Sequence, residues 1–395
     1  MAHPVCVLKK GRERSLLNRH PWIFSGGIDR IDPEPSSGEL VDVHGADGEF
    51  LGRGYYNPRS QIRIRVLTFR KETVDTGFFV RRFTEAAKWR ARFLDNETTA
   101  FRVCNSEGDF FPGLIVDRYN DFLVVQFQTA GIEVFRNEIT DALVEVFSPK
   151  GIFEKSEGGY RKEEGLDQVS GSLYGAEPDE PVEIVEHGLK FLVDIRSGQK
   201  TGFFLDQRNA RHIARQCAEG RTALNCFGYS GAFTVAMLAG GAERVITVDT
   251  SSNALDLAKS NVERNGFAVN DEDFVEADVF QFLRSFDGVP DLVVLDPPAF
   301  AKSRASLQRA SRGYKDINFN AMRMMPEDSL LFTFSCSGHV SPDLFQKIIF
   351  AAATDAGRGA QILQRFGNGF DHPINIYHPE GEYLTGALCR ISNNF

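Results

Sequence analysis

The sequence predicts an α/β fold, a doubly wound parallel sheet, in the C-terminal half of the chain. Short apolar runs alternate there with helical patterns from residue 188 to about residue 356, an alternation typical of buried strands with helices on both faces. The run at Leu224 ends in a tight glycine loop, and later runs end in an acid, as at Asp249 and Asp296. Because parallel strands end at one edge of a sheet, we expect these groups to line a common cofactor crevice.

A small β-barrel and a small α+β unit are predicted N-terminal to this sheet. Residues 1–72 contain short alternating segments, such as 61–67, separated by Gly and Pro turns, which is typical of a barrel. The next stretch contains a helix at 78–94, strands around 101–104, 113–118 and 121–128, a helix at 132–147 and a strand at 151–155. The Gly-, Pro- and acid-rich residues 156–181 are expected to form a linker or a mobile hairpin.

The predicted elements of the C-terminal half complete the domain organisation. A strand at 188–195 precedes a helix that is expected to begin near Asp206, whose side chain suits an N-cap. The apolar runs that follow lie at 245–248, 274–277, 292–295, 330–334, 361–366 and 383–391, the last of them in an antiparallel position. We therefore predict three domains, at 1–72, 73–180 and 181–395.

Composition is ordinary for a globular protein, with 395 residues, 42% of them hydrophobic, and a net charge of −9. The lack of an apolar run of about 18 residues argues against a membrane span, and the first residues lack the apolar core of a signal peptide. The six cysteines are scattered, without a C-x-x-C pair or a His/Cys cluster. This pattern predicts a cytoplasmic location and disfavours a disulfide framework and a metal site.

Two basic segments are compatible with a polyanionic substrate, although the net negative charge by itself gives nucleic-acid binding no support. For a single basic segment, a solvated protein face or a linker is the more common explanation. The candidate phosphate contacts are Lys9, Lys10, Arg12, Arg14 and Arg19 in the first segment and Lys302, Arg304, Arg309 and Arg312 in the second.

The glycine loop Phe227-Gly228-Tyr229-Ser230-Gly231 indicates a cofactor without fixing its class. Its G-x-x-G spacing lacks the three-glycine dinucleotide fingerprint and also occurs in ordinary turns. Asp249 lies 18 residues beyond Gly231, where an acid can accept from the two ribose hydroxyls of a nucleoside cofactor or can cap a helix. Asp278 ends the next strand and could accept from an adenine amino group or act as a cap.

Asp296-Pro297-Pro298 and Cys336 are the strongest candidates for chemistry. Two prolines after a buried strand remove two N–H donors and fix an extended turn, which leaves the Pro297 carbonyl available to a ligand. Cys336 ends a strand that is expected to share its edge with Asp296. A cysteine there is either a small buried hydrophobe or a thiol that attacks a carbon atom. His339 follows three residues later and could assist.

The whole chain resembles the bacterial large-subunit ribosomal RNA cytosine-5 methyltransferases that join an N-terminal PUA domain to a class I S-adenosylmethionine (SAM) fold. The resemblance lies in five segments, at 11–24, 199–208, 227–231, 296–302 and 335–337. It implies a PUA barrel, a small central α+β domain and a Rossmann-like catalytic domain. It also implies that SAM lies over the glycine loop, with its ribose on Asp249 and its adenine near Asp278.

The resemblance implies further assignments. The methionine end of SAM is expected near Asp296 and the 203–208 segment. The full implied cofactor set is Phe203, Asp206, Arg208, Asn225, Phe227, Gly228, Tyr229, Ser230, Gly231, Asp249, Asp278, Asp296 and Pro297. Large-subunit ribosomal RNA, naked or partly assembled, is the implied partner. The oligomeric state stays open, a homodimer being one option.

In the implied reaction Cys336 attacks C6 of a cytosine, so that C5 gains enough electron density to take a methyl group. Asp296 holds the base near N3 or its exocyclic amine and stabilises the charge that builds up in the ring. A different branch of cytosine-5 methyltransferases carries a second cysteine after the proline of the Asp motif, where this chain has Pro298 and Ala299. Product release must therefore be assisted by another group.

Other functions stay open at this point. Asp-Pro-Pro followed by an aromatic also resembles the motif of enzymes that methylate an exocyclic amine, but Phe300 falls one residue late and Cys336 has no task in that scheme. An RNA-binding or assembly protein with a degenerate cofactor fold is an alternative from another class, and the full set of strand-end acids and glycines speaks against it. A nicotinamide dehydrogenase is disfavoured because the three-glycine fingerprint is missing.

Overall fold

The computed structural model describes residues 3–301 and 303–393 and divides into two compact units. The N-terminal unit comprises the residues up to Ile184 together with Val193–Phe203 and Phe370–Gly381. The C-terminal unit comprises Val185–Leu192, Phe204–Gly369 and the residues from Glu382 onward. Each unit thus combines segments that are distant in the sequence. The domain boundaries after residues 72 and 180 stay a prediction.

The first sheet of the N-terminal unit has six strands and accounts for the strand-rich start of the sequence. The elements are β1 (Val5–Leu8), α1 (Arg14–Leu17), β2 (Trp22–Phe24), β3 (Ile28–Asp32), β4 (Leu40–His44), β5 (Phe50–Tyr56) and β6 (Ile62–Thr68). The spatial order is β2-β6-β5-β4-β1-β3. β1 and β4 run parallel, and the other neighbours are antiparallel. Alternate residues such as Cys6, Val43 and Ile64 are buried in one core.

The second sheet of this unit has five strands, in the order β11-β10-β9-β8-β7. The elements are α2 (Thr76–Arg90), β7 (Ala100–Asn105), β8 (Leu114–Tyr119), β9 (Phe122–Phe127), α3 (Ala130–Val134), α4 (Arg136–Phe147), β10 (Gly151–Ser156), α5 (Gly159–Glu164) and β11 (Val169–Gly175). The predicted helix at 78–94 begins earlier because the Asp75 side chain caps it, accepting from the Phe78 N–H at 2.9 Å.

Two predictions for this region were wrong in part. The helix predicted at 132–147 is divided at Phe135, whose backbone leaves helical geometry and whose ring packs 5.6 Å from that of Phe79. The residues 156–181 do not form a mere linker, since they contain α5 and β11, which pairs antiparallel with β10. Ser and Gly occupy much of β11, so the apolar alternation that marks a strand was too weak to show.

The C-terminal unit is built on a seven-stranded sheet. Its helices and strands are α6 (Arg208–Gln216), β14 (Thr222–Cys226), α7 (Ala232–Ala239), β15 (Arg244–Asp249), α8 (Ser252–Arg264), β16 (Phe274–Glu276), α9 (Val279–Ser285), β17 (Leu292–Leu295), α10 (Leu307–Met324), β18 (Ser329–Ser335), α11 (Pro342–Ala356), β19 (Gly359–Phe366) and β20 (Thr385–Ser392). Ahead of them in sequence, β12 (Val182–Glu186) and β13 (Leu189–Val193) form a separate two-stranded sheet.

The strand order of this sheet, β16-β15-β14-β17-β18-β20-β19, confirms the predicted doubly wound α/β fold. The neighbours from β16 to β18 are parallel, and β20 is antiparallel to both of its neighbours, as predicted for the last strand. Strand addition reverses direction between β14 and β17. The crevice outside the carboxyl ends of the strands at such a switch point is where open α/β sheets bind ligands.

The expected N-cap at Asp206 was wrong. Asp206 lies in a short 3-10 helix, Leu205–Gln207, and Gln207 occupies the N-cap position of α6 without a capping side chain. Asp206 is only 5% exposed and accepts instead from the Tyr383 hydroxyl at 2.7 Å.

None of the helices in residues 3–301 and 303–393 combines the length and the apolar character that a membrane span requires.

Arg90 at the end of α2 allows a test of the N-terminal unit. Its fully buried guanidinium donates to both carboxylate oxygens of Asp109, at 3.1 and 2.6 Å, and to the Asp371 carbonyl at 2.9 Å. We predict that Arg90→Met lowers the free energy of unfolding by about 3–5 kcal/mol, because it leaves a buried carboxylate without its partner. Chemical denaturation followed by circular dichroism measures the loss.

Arg81→Ala on the same helix is the matched control, since the Arg81 side chain is 61% exposed and pairs with Glu72 at the surface. An exposed pair contributes about 0–1 kcal/mol. Equal losses in the two variants would contradict the account of Arg90.

Candidate active site in the C-terminal unit

Three residues of the glycine loop after β14 adopt a backbone conformation that is rare for residues other than glycine. Phe227, Tyr229 and Gly231 all have positive φ, of 61°, 43° and 72°. The Gly228 N–H donates to the Val248 carbonyl at 3.0 Å, and the Gly231 N–H donates to the Gly228 carbonyl at 2.8 Å. Non-glycine residues held in the left-handed region store strain and cluster at functional sites.

Close packing explains both glycines of the loop. A Cβ on Gly231 would lie 2.7 Å from the Cβ of Ala258 in α8, and one on Gly228 would lie 2.4 Å from Cγ2 of the buried Thr247. A side chain at either position would therefore push the loop away from the sheet and from α8.

Asp249 at the end of β15 is held by the backbone on both sides. Its Oδ2 accepts from the Tyr229 N–H at 2.9 Å, and its Oδ1 accepts from the Ser251 N–H at 3.0 Å. The residue remains partly exposed. A carboxylate can accept about four hydrogen bonds, so this one retains acceptor capacity toward a ligand.

Two members of the predicted cofactor set are buried, Asn225 ahead of the loop and Ser230 within it. Asn225 is 1% exposed, and its Nδ2 donates to the Thr234 hydroxyl at 3.0 Å. Ser230 is 2% exposed, and its carbonyl accepts from Nδ2 of Asn261 at 2.8 Å. These bonds fix the shape of the loop from inside the protein.

Asp278 acts as the N-cap of α9, the cap alternative that the sequence left open. Its Oδ1 accepts from the Gln281 N–H at 3.0 Å. The side chain is exposed, and its second oxygen is not used by the cap. Contact with adenine stays a prediction.

Asp296 and Cys336 come together at the ends of β17 and β18, as predicted. Cys336 Sγ lies 3.9 Å from Asp296 Oδ1, and both residues are half-buried. The same Oδ1 accepts from Nε2 of Gln207 at 2.9 Å, so the carboxylate has a defined orientation. Pro297 is buried directly behind it.

The loops that carry these two residues are tied to each other. The Ser337 hydroxyl accepts from the Ala301 N–H at 3.2 Å and lies 3.0 Å from the Tyr314 hydroxyl. Ser337 and Tyr314 are both buried, and burial raises the pKa of the Tyr314 phenol, which therefore stays protonated and available as a donor. This connection fixes the residue after Cys336 against the loop after Asp296.

Burial distinguishes Cys336 from most other thiols of the chain. Burial raises the pKa of Cys6 and Cys389 to about 12, and it also raises the pKa of the fully buried Cys226 and Cys104. The residue pattern predicts small buried hydrophobes at Cys104, Cys217, Cys226 and Cys389. This is confirmed for three of them, whereas Cys217 is half-buried, and burial raises its pKa too.

The 203–208 segment belongs to two units. Phe203 lies in the N-terminal unit, where its N–H donates to the Tyr119 hydroxyl at 3.2 Å. Arg208 lies in the C-terminal unit and is paired with the buried Glu186 at 3.3 Å, beside Arg211 at 2.7 Å. Burial pushes the pKa of Glu186 up, but the two guanidinium groups outweigh it and hold the pKa below its ordinary value.

The sequence analysis missed four residues that contact the candidate site or its supporting loops: Gln207, Tyr383, Tyr314 and Glu186. Each acts through a partner that is distant along the chain, and no local pattern reveals such a partner. Gln207 alone had a signal, since it lies between Asp206 and Arg208 in the segment that carries the family resemblance.

The predicted RNA-contacting residues lie in both units and are exposed. In the N-terminal unit they are Lys9, Lys10, Arg12, Arg14 and Arg19. In the C-terminal unit they are Arg304, in a short 3-10 helix before α10, and Arg309 and Arg312 within α10. Lys302 lies outside the described residues.

Comparison with known families is consistent with this geometry. A PUA-like domain matches residues 7–69, and an S-adenosylmethionine-dependent methyltransferase matches residues 157–356, which is half of the chain. The chain is therefore a SAM-dependent methyltransferase that carries a PUA-like domain, and SAM is its cofactor.

Individual relatives match nearly the whole chain. The ribosomal RNA large subunit methyltransferase I of Aeromonas hydrophila is 49% identical over 97% of this chain and 98% of its own length, and that of Klebsiella pneumoniae is 45% identical over 98% of each. Among solved structures, one described as a SAM-dependent methyltransferase from Streptococcus mutans is 25% identical over 99% of this chain and 100% of its own, with a TM-score of 0.83. Another, described as a methyltransferase complexed with SAH, has a TM-score of 0.85. The chain belongs to the ribosomal RNA large subunit methyltransferase I family.

Gly231 offers a test of the loop. We predict that Gly231→Ala lowers the melting temperature and weakens SAM binding, because the added Cβ combines a left-handed φ with a clash against Ala258. Gly266→Ala is the control, since Gly266 has a φ of +79° and nothing within 4 Å of an added Cβ. Left-handed strain alone costs about 1–2 kcal/mol.

Thermal unfolding and calorimetric titration with SAM measure the two effects. The clash predicts a larger loss of stability in Gly231→Ala than in Gly266→Ala, and weaker SAM binding only in Gly231→Ala. Equal stability and equal SAM binding in the two variants would show that the close approach of the loop to α8 affects neither property.

Proposed function

We propose that this protein methylates C5 of a cytosine in large-subunit ribosomal RNA, with Cys336 as the nucleophile. The names of the relatives support ribosomal RNA as the substrate. The observation that carries the chemistry is the 3.9 Å separation of Cys336 Sγ and Asp296 Oδ1. A partly exposed thiol beside a carboxylate, one strand from the switch point, can reach a base that enters the crevice, whereas a purely structural cysteine has no need of that position.

The residues of the loop fit SAM as the methyl donor. Asp249, with its remaining acceptor capacity, is proposed to take the ribose hydroxyls, and the exposed Asp278 to take the adenine amino group. The buried hydrogen bonds of Asn225 and of Ser230 hold the loop in shape. Asp206, Arg208 and Pro297 are proposed to shape the methionine end of the site. SAM supplies the methyl group that C5 takes.

The first step forms a bond between Cys336 Sγ and C6 of the base. The thiol passes its proton to Asp296 Oδ1, which lies within reach of the S–H. As Sγ bonds to C6, the π pair of the C5–C6 bond moves to C4–C5 and that of the C4–N3 bond moves onto N3, which takes this proton from Asp296. C5 becomes a nucleophile in this way. Gln207, which donates to Oδ1, keeps the carboxyl group aimed at the base.

The last step releases the product. A base removes the proton from C5, the electron pair of that C–H bond restores the C5–C6 double bond, and Sγ leaves C6 as a thiolate while N3 returns its proton. His339 is exposed three residues beyond Cys336 and is one candidate for the acceptor of the C5 proton; water is the other.

Access to the ring requires an unpaired or flipped cytosine, because C6 and C5 are not reachable in this way inside a stacked helix. The exposed Lys and Arg residues of both units are proposed to hold phosphates, which makes RNA binding dependent on salt.

Methylation of an exocyclic amine is the competing reaction. In that scheme an aromatic side chain after the two prolines holds the base. Phe300 instead packs 4.6 Å from the Tyr314 ring and 5.6 Å from the Phe280 ring, and Cys336 would have no role. Mass spectrometry of the modified nucleoside separates 5-methylcytidine from a cytidine methylated on N4.

Replacement of the thiol tests the proposed nucleophile. We predict that Cys336→Ala abolishes transfer of labelled methyl from SAM to ribosomal RNA of a strain that lacks the protein, because the thiol that bonds to C6 in the proposed reaction is removed. SAM binding, measured by calorimetry, is expected to stay at the wild-type level.

The control is Cys217→Ala, which removes the other half-buried thiol of the C-terminal unit and is expected to leave methyl transfer unchanged. Wild-type activity in Cys336→Ala would rule out the covalent route.

A further inference from the structure

The outer face of β2 carries two aromatic rings beside a basic loop. Successive side chains of a strand point to opposite faces, so Ile23 enters the core at 6% exposure while Trp22 and Phe24 lie on the other side. The Trp22 and Phe24 rings meet edge to face at 6.4 Å. Phe24 is 53% exposed, so part of its ring is open to a ligand.

Trp22 provides a rigid base for this ring. Its Nε1 donates to Glu107 Oε1 at 2.8 Å, and the His378 ring packs against it at 4.4 Å. His378 belongs to the Phe370–Gly381 segment, which is anchored in the same unit by the bond from Asn375 Nδ2 to the Glu107 carbonyl at 3.2 Å. The aromatic face is therefore fixed from two directions.

The anchored segment adds further apolar surface next to His378. Ile376 is 83% exposed and Tyr377 is 43% exposed. Two carboxylates beside Trp22 are bonded within the protein, Glu107 to the indole N–H and Glu380 to His20 at 3.4 Å.

A basic loop adjoins the end of β2. The turn Ser25–Gly27 that follows Phe24 accepts from Lys9 twice, with Nζ bonded to the Gly26 carbonyl at 3.2 Å and the backbone N–H bonded to the Gly27 carbonyl at 3.0 Å. Arg12 lies beside the same turn, its Cβ 3.9 Å from where a Cβ on Gly27 would be. Lys9, Lys10 and Arg12 are exposed.

We propose that Phe24 stacks on an unpaired base of the RNA substrate while Lys9, Lys10 and Arg12 hold the neighbouring phosphates. Single-stranded nucleic acid is bound by this combination of aromatic rings and a positive track, because every base has a face that can stack. The charge beside the ring favours RNA over an apolar protein partner. The inference rests on the proposed function for the identity of the polyanion, and it places a second contact with single-stranded RNA in the N-terminal unit.

The test compares Phe24→Leu, which keeps apolar volume and removes the aromatic face, with Phe24→Tyr, which keeps the face. Binding of a fluorescent, short, single-stranded oligoadenylate to the full-length protein is measured by anisotropy over a range of salt concentrations. Loss of one stacked base weakens binding about 5- to 150-fold. We expect such a loss in Phe24→Leu, with binding by Phe24→Tyr close to that of wild type.

Two controls define the result. Phe93→Leu removes another ring of the N-terminal unit that is 59% exposed, and it is expected to bind like wild type. The salt dependence of Phe24→Leu is expected to match wild type, since no phosphate contact is lost. Phe24→Leu and wild type are expected to bind the duplex of the same strand with oligouridylate about equally, because the bases are already stacked within the duplex.

Wild-type affinity in Phe24→Leu, or equal losses in Phe24→Leu and Phe93→Leu, would overturn the inference. Its failure is distinguishable from failure of the proposed function. If the wild-type protein methylates ribosomal RNA and Phe24→Leu binds normally, only the stacking site is wrong. If the wild-type protein binds the oligonucleotide through Phe24 but does not methylate ribosomal RNA, only the proposed reaction is wrong.

Discussion

The parallel pairing of β17 with β18 is the constraint on which the active site depends. Leu295 lies opposite Thr333 in this pair, so the residues that follow the two strands leave the sheet at the same edge. Asp296 and Cys336, which are 40 residues apart in sequence, are placed 3.9 Å apart by this register. The contact from Ser337 to Ala301 and Tyr314 then holds the two loops together beyond the sheet. A shift of one residue in the register would turn one of the two side chains to the other face.

The same sheet explains why the glycine loop lies beside this pair. β14 is the neighbour of both β15 and β17, so the glycine loop at its end adjoins Asp249 on one side and Asp296 on the other. The loop is held close to the sheet by the lack of side chains at Gly228 and Gly231 and by the two bonds to Asp249. The strained backbone of Phe227 and Tyr229 is thus stabilised by its surroundings. A donor bound over the loop and a base beside Cys336 would share one crevice.

Rules about the residue pattern within a strand, and about where parallel strands end, can be applied to a sequence alone. These rules predicted the fold and part of the candidate site. The apolar runs at 245–248, 292–295 and 330–334 are buried strands whose ends carry Asp249, Asp296 and Cys336, because parallel strands share an edge. Prediction failed where a side chain depends on a remote partner. Gln207 lies 89 residues from Asp296, and Asp206 forgoes its expected cap role for Tyr383, 177 residues away. β11 escaped notice for another reason, since its Ser and Gly residues give no apolar alternation.

A trapped covalent intermediate tests the central claim most directly. Ribosomal RNA in which 5-fluorocytidine replaces cytidine carries no proton at C5, so the elimination that frees the sulfur cannot occur after methylation. The account predicts that incubation with SAM yields a protein–RNA adduct that survives denaturation, and that mass spectrometry of its peptides places the nucleotide on Cys336. Full methylation of unmodified RNA without any adduct to the fluorinated RNA, or an adduct on a different residue, would contradict it.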